Sequence, residues 1–135
     1  MASFPLKIVT SDGLIFDGMA EKVIVRTING DMAVLARHIK CVAPLGMGRA
    51  VVEADGKRRT AACIGGMLNV MDGAATLVPT TFEWAEDIDP ERAKQSASKA
   101  EAILEKRDKL TNQEIALAEA KLKRALIRQS ICKGN

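Results

Sequence analysis

The chain has almost no aromatic side chains. Three Phe, one Trp and no Tyr leave any core to be built from aliphatic residues. It has a single histidine. Nothing in the sequence links His38 to a nucleophile and an orienting acid, so a catalytic triad has no support. The three cysteines, Cys41, Cys63 and Cys132, stand apart with no CxxC pair. That odd count argues for free thiols and a reducing compartment, and no Cys/His spacing suits a zinc site. The glycines of GMGRAV (Gly46–Val51) do not have the spacing of a phosphate-binding loop. The basic tail has no interleaved aromatics, so a stacking platform for nucleic acid is not expected. No run approaches the roughly 20 apolar residues that span a bilayer. The opening MASFPLKIVT lacks the basic and long apolar regions of a signal peptide. The chain reads as an intracellular, soluble, non-enzymatic protein that reaches a membrane only through partners.

What is present changes character along the chain. Asp12-Gly13, Asp17-Gly18, Asn29-Gly30, Asp55-Gly56 and Asp72-Gly73 punctuate the first part, and such pairs are strong hairpin signals because both positions tolerate positive φ. Between them lie strand-like runs. FPLKIVT places Phe4, Leu6 and Ile8 on one face, and EKVIVRT places Val23 and Val25 opposite Lys22, Ile24 and Arg26. RAVVEA and RRTAACI flank one turn as a hairpin, and MLNVM and ATLVPT flank another. Short strands at this spacing predict an antiparallel sandwich or barrel. Gly65-Gly66 marks a bulge or a close backbone approach. Trp84 is expected to pack.

After EDIDPERA (Glu86–Ala93) there is no further proline, and no glycine until Gly134. Asp89 is a good N-cap, and Pro90 suits the first helical position because it has no N–H to leave unpaired. PERAKQSASKAEAILEKR then sets Ala93, Ala97, Ala100 and Leu104 on one stripe. KLTN breaks the run. Thr111 and Glu114 form a capping box for a second helix, whose stripe is Ile115, Ala118, Leu122, Ala125 and Leu126. The expected architecture is an all-β N-terminal sandwich, residues 1–86, and a C-terminal antiparallel two-helix hairpin, residues 87–135. An alanine seam buries little apolar surface, so the hairpin is marginal alone and reads as a detachable element; a permanently docked hairpin is the alternative. Residues 1–88 carry nine Lys/Arg and ten Asp/Glu, for −1, whereas residues 89–135 carry eleven and seven, for +4. Five of those bases and no acid lie in KLKRALIRQSICK (Lys121–Lys133). A basic tail helix suits an anionic partner, such as an acidic protein surface, a nucleotide, nucleic acid or a membrane, and a merely solvated basic face is the equal alternative.

Several motifs, in order and at matching separations over essentially the whole chain, resemble the epsilon subunit of bacterial F-type ATP synthase. FPLKIVTSDGLIFDGMAEKVIV is similar to that family's opening. IGGMLNV (Ile64–Val70) is similar to its Ser-Gly-Gly-Xaa-Leu-Glu-Val, with Ile64 for serine and Asn69 for glutamate. IDPERA (Ile88–Ala93) matches Ile/Leu-Asp-Xaa-Xaa-Arg-Ala, and LKRALIR (Leu122–Arg128) resembles the basic second-helix segment. GDMAVLARHIKC departs from Gly-Xaa-Xaa-Gly-Ile-Xaa-Pro-Xaa-His-Ala-Pro. Gly30 and His38 persist, but Ala33, Ala36, Ile39 and Lys40 replace the second glycine, the proline and the Ala-Pro pair.

The resemblance implies a non-catalytic rotor subunit on the cytoplasmic face of the bacterial cell membrane. It implies that the sandwich binds the gamma subunit and sits on the c-ring, helping couple proton-driven rotation to ATP synthesis. It also implies that the hairpin, extended toward the alpha and beta subunits, restrains ATP hydrolysis. The implied partner residues are Asp31, His38, Lys121, Lys123, Arg124 and Arg128. No cofactor or metal is required, but some family members bind ATP through the Ile/Leu-Asp-Xaa-Xaa-Arg-Ala motif. Here that site would comprise Glu83, Ile88, Asp89, Arg92, Ala93, Lys99, Arg124 and Arg128. Lys121, Arg124 and Arg128 share one stripe of the second helix. In an antiparallel hairpin Arg92 would meet Arg124 and Arg128, and an anion such as a triphosphate would relieve their repulsion. Asp89 as a plain cap and Arg92 as a solvated side chain are the alternative. A free-standing nucleotide-sensing domain and a basic helical adaptor for nucleic acid are the competing functions.

Overall fold

The computed structural model describes residues 2–132. The chain divides into two compact units between Trp84 and Ala85.

The first unit is a sandwich of ten strands. These are β1 (Phe4–Thr10), β2 (Gly13–Ala20), β3 (Lys22–Thr27), β4 (Gly30–Leu35), β5 (Cys41–Pro44), β6 (Met47–Ala54), β7 (Lys57–Ile64), β8 (Met67–Met71), β9 (Ala74–Val78) and β10 (Thr81–Trp84). They form two sheets of five, ordered β2-β1-β9-β8-β5 and β10-β7-β6-β3-β4. The two expected hairpins are present: β6 pairs with β7 across Asp55-Gly56, and β8 with β9 across Asp72-Gly73. At both turns the Asp and the Gly have positive φ, the requirement that selects this dipeptide for two-residue hairpins. Alternation then sends one side of each strand inward. Leu6, Ile8, Leu68 and Leu77 from the first sheet meet Val23, Val25 and Val52 from the second in an aliphatic core. Cys63 lies in that core, and burial pushes its thiol up to about 12.

Two glycine pairs behave differently. Asp17-Gly18 is not a turn. It lies inside β2, with Asp17 opposite Lys7 and Gly18 opposite Leu6; ladder pairing overrides the dipeptide's turn preference, as tertiary context does for strand propensity generally. Gly65-Gly66 is the expected close approach, at the crossover from one sheet to the other. Both residues have positive φ, and a Cβ on Gly66 would overlap the Val78 carbonyl oxygen and come within 2.5 Å of Pro79 Cα.

The second unit begins with a 3₁₀ turn at Ala85–Asp87, followed by α1 (Pro90–Leu104), a 3₁₀ turn at Arg107–Lys109 and α2 (Asn112–Cys132). Asp89 caps α1 by accepting the backbone N–H groups of Glu91 at 3.0 Å and Arg92 at 3.2 Å. Thr111 and Glu114 form the reciprocal capping box, with both bonds at 3.1 Å. α1 stops at Leu104, earlier than its sequence pattern: the Lys106 N–H bonds back to Ile103 rather than four residues back, a tightened last turn. Ala93, Ala97 and Ala100 of α1 and Ala118 and Ala125 of α2 are buried. Ile115 and Leu122 are half-buried beside them. Leu126, expected in the seam, is 47% exposed. It follows Ala125 by one position, about 100° around the helix. Ile131 is buried instead. Cys132 Sγ lies 4.0 Å from the Ile88 carbonyl oxygen, so α2 returns to the start of α1 and the pair is antiparallel. Lys133, the last base of the tail stretch, lies outside the described residues.

Candidate functional site

The residues expected to hold ATP fall in different settings. Ile88 and Ala93 are buried. Asp89 is exposed and spends its carboxylate on the helix cap. Arg92 and Lys99 are exposed on α1, while Arg124 and Arg128 are half-buried on α2. Because α2 runs back toward Ile88, Arg128 lies near the end of the hairpin where α1 begins with Arg92, and Arg124 lies one turn earlier in α2, toward its middle. The antiparallel return of α2 puts Arg92 of α1 and Arg124 and Arg128 of α2 on the same two-helix unit, with Arg128 the nearest of the two in α2 to the start of α1. Glu83 belongs to the first unit, half-buried on β10 opposite Ala62.

The residues expected to meet protein partners are also divided. Lys121 and Lys123 are exposed on α2. Asp31, exposed on β4, is held at 3.0 Å by Arg26 from the neighbouring strand. His38 follows a turn in which Arg37 has φ 68°. Its Nδ1 lies 2.9 Å from the Ile39 carbonyl oxygen, a contact in which the ring N–H donates. The segment that departs from the family pattern therefore forms β4, this turn and the approach to β5. Ile39 is 79% exposed there.

Sequence reasoning missed an apolar surface. The outward side of the first sheet exposes Met19, Val42, Met67, Met71 and Val78. Their registers set them in two rows, Met67 between Pro44 and Val78, and Met71 beside Ala74 with Met19 beside Pro5, on either side of the row Val42, Asn69, Thr76, Lys7 and Asp17. Exposed apolar rows of this kind make this side of the sheet a candidate interaction surface. The signal was available in MLNVM. Leu68 and Val70 supply the core face, so Met67 and Met71 must face the other way, where a solvated strand would carry polar residues.

Trp84 packs, as expected, and does more. It is 7% exposed, makes edge-to-face contacts with Phe82 and Phe16, and carries Arg59 over its ring. Among the described residues no group of three or more His, Cys, Asp or Glu could hold a metal ion. No described helix is long and apolar enough to cross a membrane.

Two family models together match residues 3–132. Residues 3–85 match the beta-sandwich domain of the ATP synthase delta/epsilon chain, and residues 86–132 match its long alpha-helix domain. An ATP synthase epsilon chain of Caldicellulosiruptor bescii is 36% identical over 135 residues, covering 100% of this chain and 97% of that one. An ATP synthase epsilon chain of Bacillus velezensis is 39% identical, with 100% of both chains covered. In solved structures, a chain of the Euglena gracilis mitochondrial ATP synthase shares the fold with a TM-score of 0.83 at 24% identity, covering 96% of this chain and 81% of that chain.

Proposed function

Because the chain belongs to the ATP synthase delta/epsilon family, in its epsilon form, we propose that it is a non-catalytic subunit of the rotor. In this reading the sandwich binds gamma and sits on the c-ring, helping carry proton-driven rotation to the catalytic alpha and beta subunits. It lies on the cytoplasmic face of the bacterial cell membrane and is held there by the complex. The observation that carries this reading is the unbroken match of both family domains, in order, over residues 3–132. The exposed Met19, Val42, Met67, Met71 and Val78 give the sandwich an apolar face suited to gamma.

The second unit supplies regulation. Lys121, Lys123, Arg124 and Arg128 give it a basic surface for acidic segments of the beta subunits, where charge pairing sets orientation more than affinity. ATP at the guanidinium cluster of Arg92, Arg124 and Arg128, with Lys99, would hold the hairpin in its paired form. A ligand can do this only by binding that form more tightly than an extended one.

The test is a pull-down of detergent-solubilised membranes with the tagged chain. Gamma should come down with the full chain and with a chain ending at Glu86, and should be lost with Met67→Lys/Met71→Lys. Complexes rebuilt with the shortened chain should hydrolyse ATP faster than those with the full chain. Recovery of no ATP synthase subunit would refute the rotor assignment, and equal hydrolysis rates would refute the regulatory one.

A further inference from the structure

In a chain with four aromatic residues, three of them meet at one point. That point is the end of β10, where the chain leaves the first unit. β10 should fray easily. It has four residues, lies at the edge of its sheet and pairs only with β7, and a short edge strand has little backbone pairing to hold it. Its side chains provide what the ladder does not. Phe82 and Trp84 point into the core at 8% and 7% exposure. Their rings meet edge to face at 4.9 Å, and Phe16 from β2 meets Trp84 at 6.5 Å. β7 continues beyond the end of β10. Trp84 pairs with Ala61, so Arg59 projects from the same face two residues further on. Its guanidinium carbon lies 3.7 Å from the centre of the indole, where a cation is attracted by the ring quadrupole, more strongly for Trp than for Phe.

We infer that Arg59 and the Phe16–Phe82–Trp84 cluster form an anchor that holds the end of β10, so that movement of the second unit starts at Ala85 and does not unzip the strand. The use of this anchor rests on the reading of a mobile second unit. Its existence does not.

Amide exchange on the full chain tests it, with Trp84, the chain's only tryptophan, as a fluorescent reporter. In Arg59→Met the β10 amides bonded to β7 should exchange at least tenfold faster, those of β6 and β8 should be unchanged, and the indole emission should shift. Trp84→Phe should show a smaller change in the same direction, and it decides the matter if Arg59→Met does not fold. Unchanged β10 exchange in the folded variants would overturn the anchor. Equal acceleration across all strands would also overturn it, because Arg59 would then be a general stabiliser. Failure of the mobile-unit reading would appear separately, as equal hydrolysis rates with the full and shortened chains.

Discussion

The two units solve the problem of burial in opposite ways. In the sandwich, the largest fully buried side chains are Leu6, Ile8, Leu68 and Leu77, drawn together from strands far apart in sequence. In the two helices of the second unit, the buried described residues are Ala93, Ala97, Ala100, Ala118 and Ala125, with Ile131. A leucine buries three more carbons than an alanine, at about 0.8 kcal/mol each. The sandwich is therefore held by its core. The hairpin has its end-caps and a thin, mostly alanine seam. That contrast suits a fixed platform joined to an element whose state can be changed by a ligand.

The strongest blow to the comparison would come from the sandwich core. Leu77 is fully buried, and Leu77→Ala should cost about 3 kcal/mol from lost transfer energy and the residual cavity. Urea unfolding followed by exchange at β6 and β7 measures it. A loss below ~1 kcal/mol would mean the core is looser than its burial indicates.

The same core should respond to alkali. Burial raises the Cys63 thiol from its ordinary 9.0 to about 12. Below about pH 8 both folded and unfolded thiols are almost wholly protonated, so Cys63 adds little pH dependence there. Above it the unfolded chain releases a proton that the folded chain retains, and stability falls until the folded pKa is reached. Relative to Cys63→Ala, the natural chain should lose about 1 kcal/mol between pH 8 and pH 10. Parallel stability curves for the two proteins over that range would show that the thiol is not sequestered.

A comparable change in the second unit should stay local. Asp89→Ala removes the acceptor for the Glu91 and Arg92 N–H groups and should cost about 1 kcal/mol of helix stability. Exchange should quicken at the start of α1 and remain unchanged in β1 and β9. Loss of protection in both units together would contradict the idea that the hairpin has its own stability.

These contrasts were unevenly legible in the sequence. The caps, the alanine stripes and two Asp-Gly hairpins could be read because each depends on residues a few positions apart. Asp17-Gly18 misled because a turn-favouring pair says nothing about the strand opposite, and β1 holds it extended. Leu126 misled because stripe membership at one position of a helix can be wrong by a whole side-chain direction. The apolar outer face depends on registers among β1, β2, β5, β8 and β9, so no single window contains it. Arg59 could not be tied to Trp84 for the same reason: they are 25 positions apart and meet only because β7 pairs with β10. Of the basic residues, only their placement along the helices was legible. Periodicity gave the α2 stripe, and the place of Arg128 near the start of α1 follows from the antiparallel return of α2.

The smallest expected change in stability is also the sharpest test of the hairpin as a ligand-controlled element. Arg92 is exposed, and its role in the cap is played by its backbone N–H, which Arg92→Ala keeps. Exposed substitutions away from such features change stability by less than ~0.5 kcal/mol, so this variant should melt with the natural chain. Its response to ATP should nevertheless differ. If the guanidinium groups of Arg92, Arg124 and Arg128 share a triphosphate, each charge-assisted contact contributes about 1.5–3 kcal/mol, and removing one should weaken ATP binding at least tenfold. Calorimetric titration of the isolated chain with ATP, repeated with Arg92→Ala and Arg124→Ala, reads this directly. Asp89→Ala is the control in the opposite sense: it loosens the helix start while leaving every cation in place, so its ATP affinity should fall less than that of Arg92→Ala. Equal affinities in the natural chain and both arginine variants, or no binding heat at millimolar ATP, would leave the cluster a solvated basic face and IDPERA a helix start.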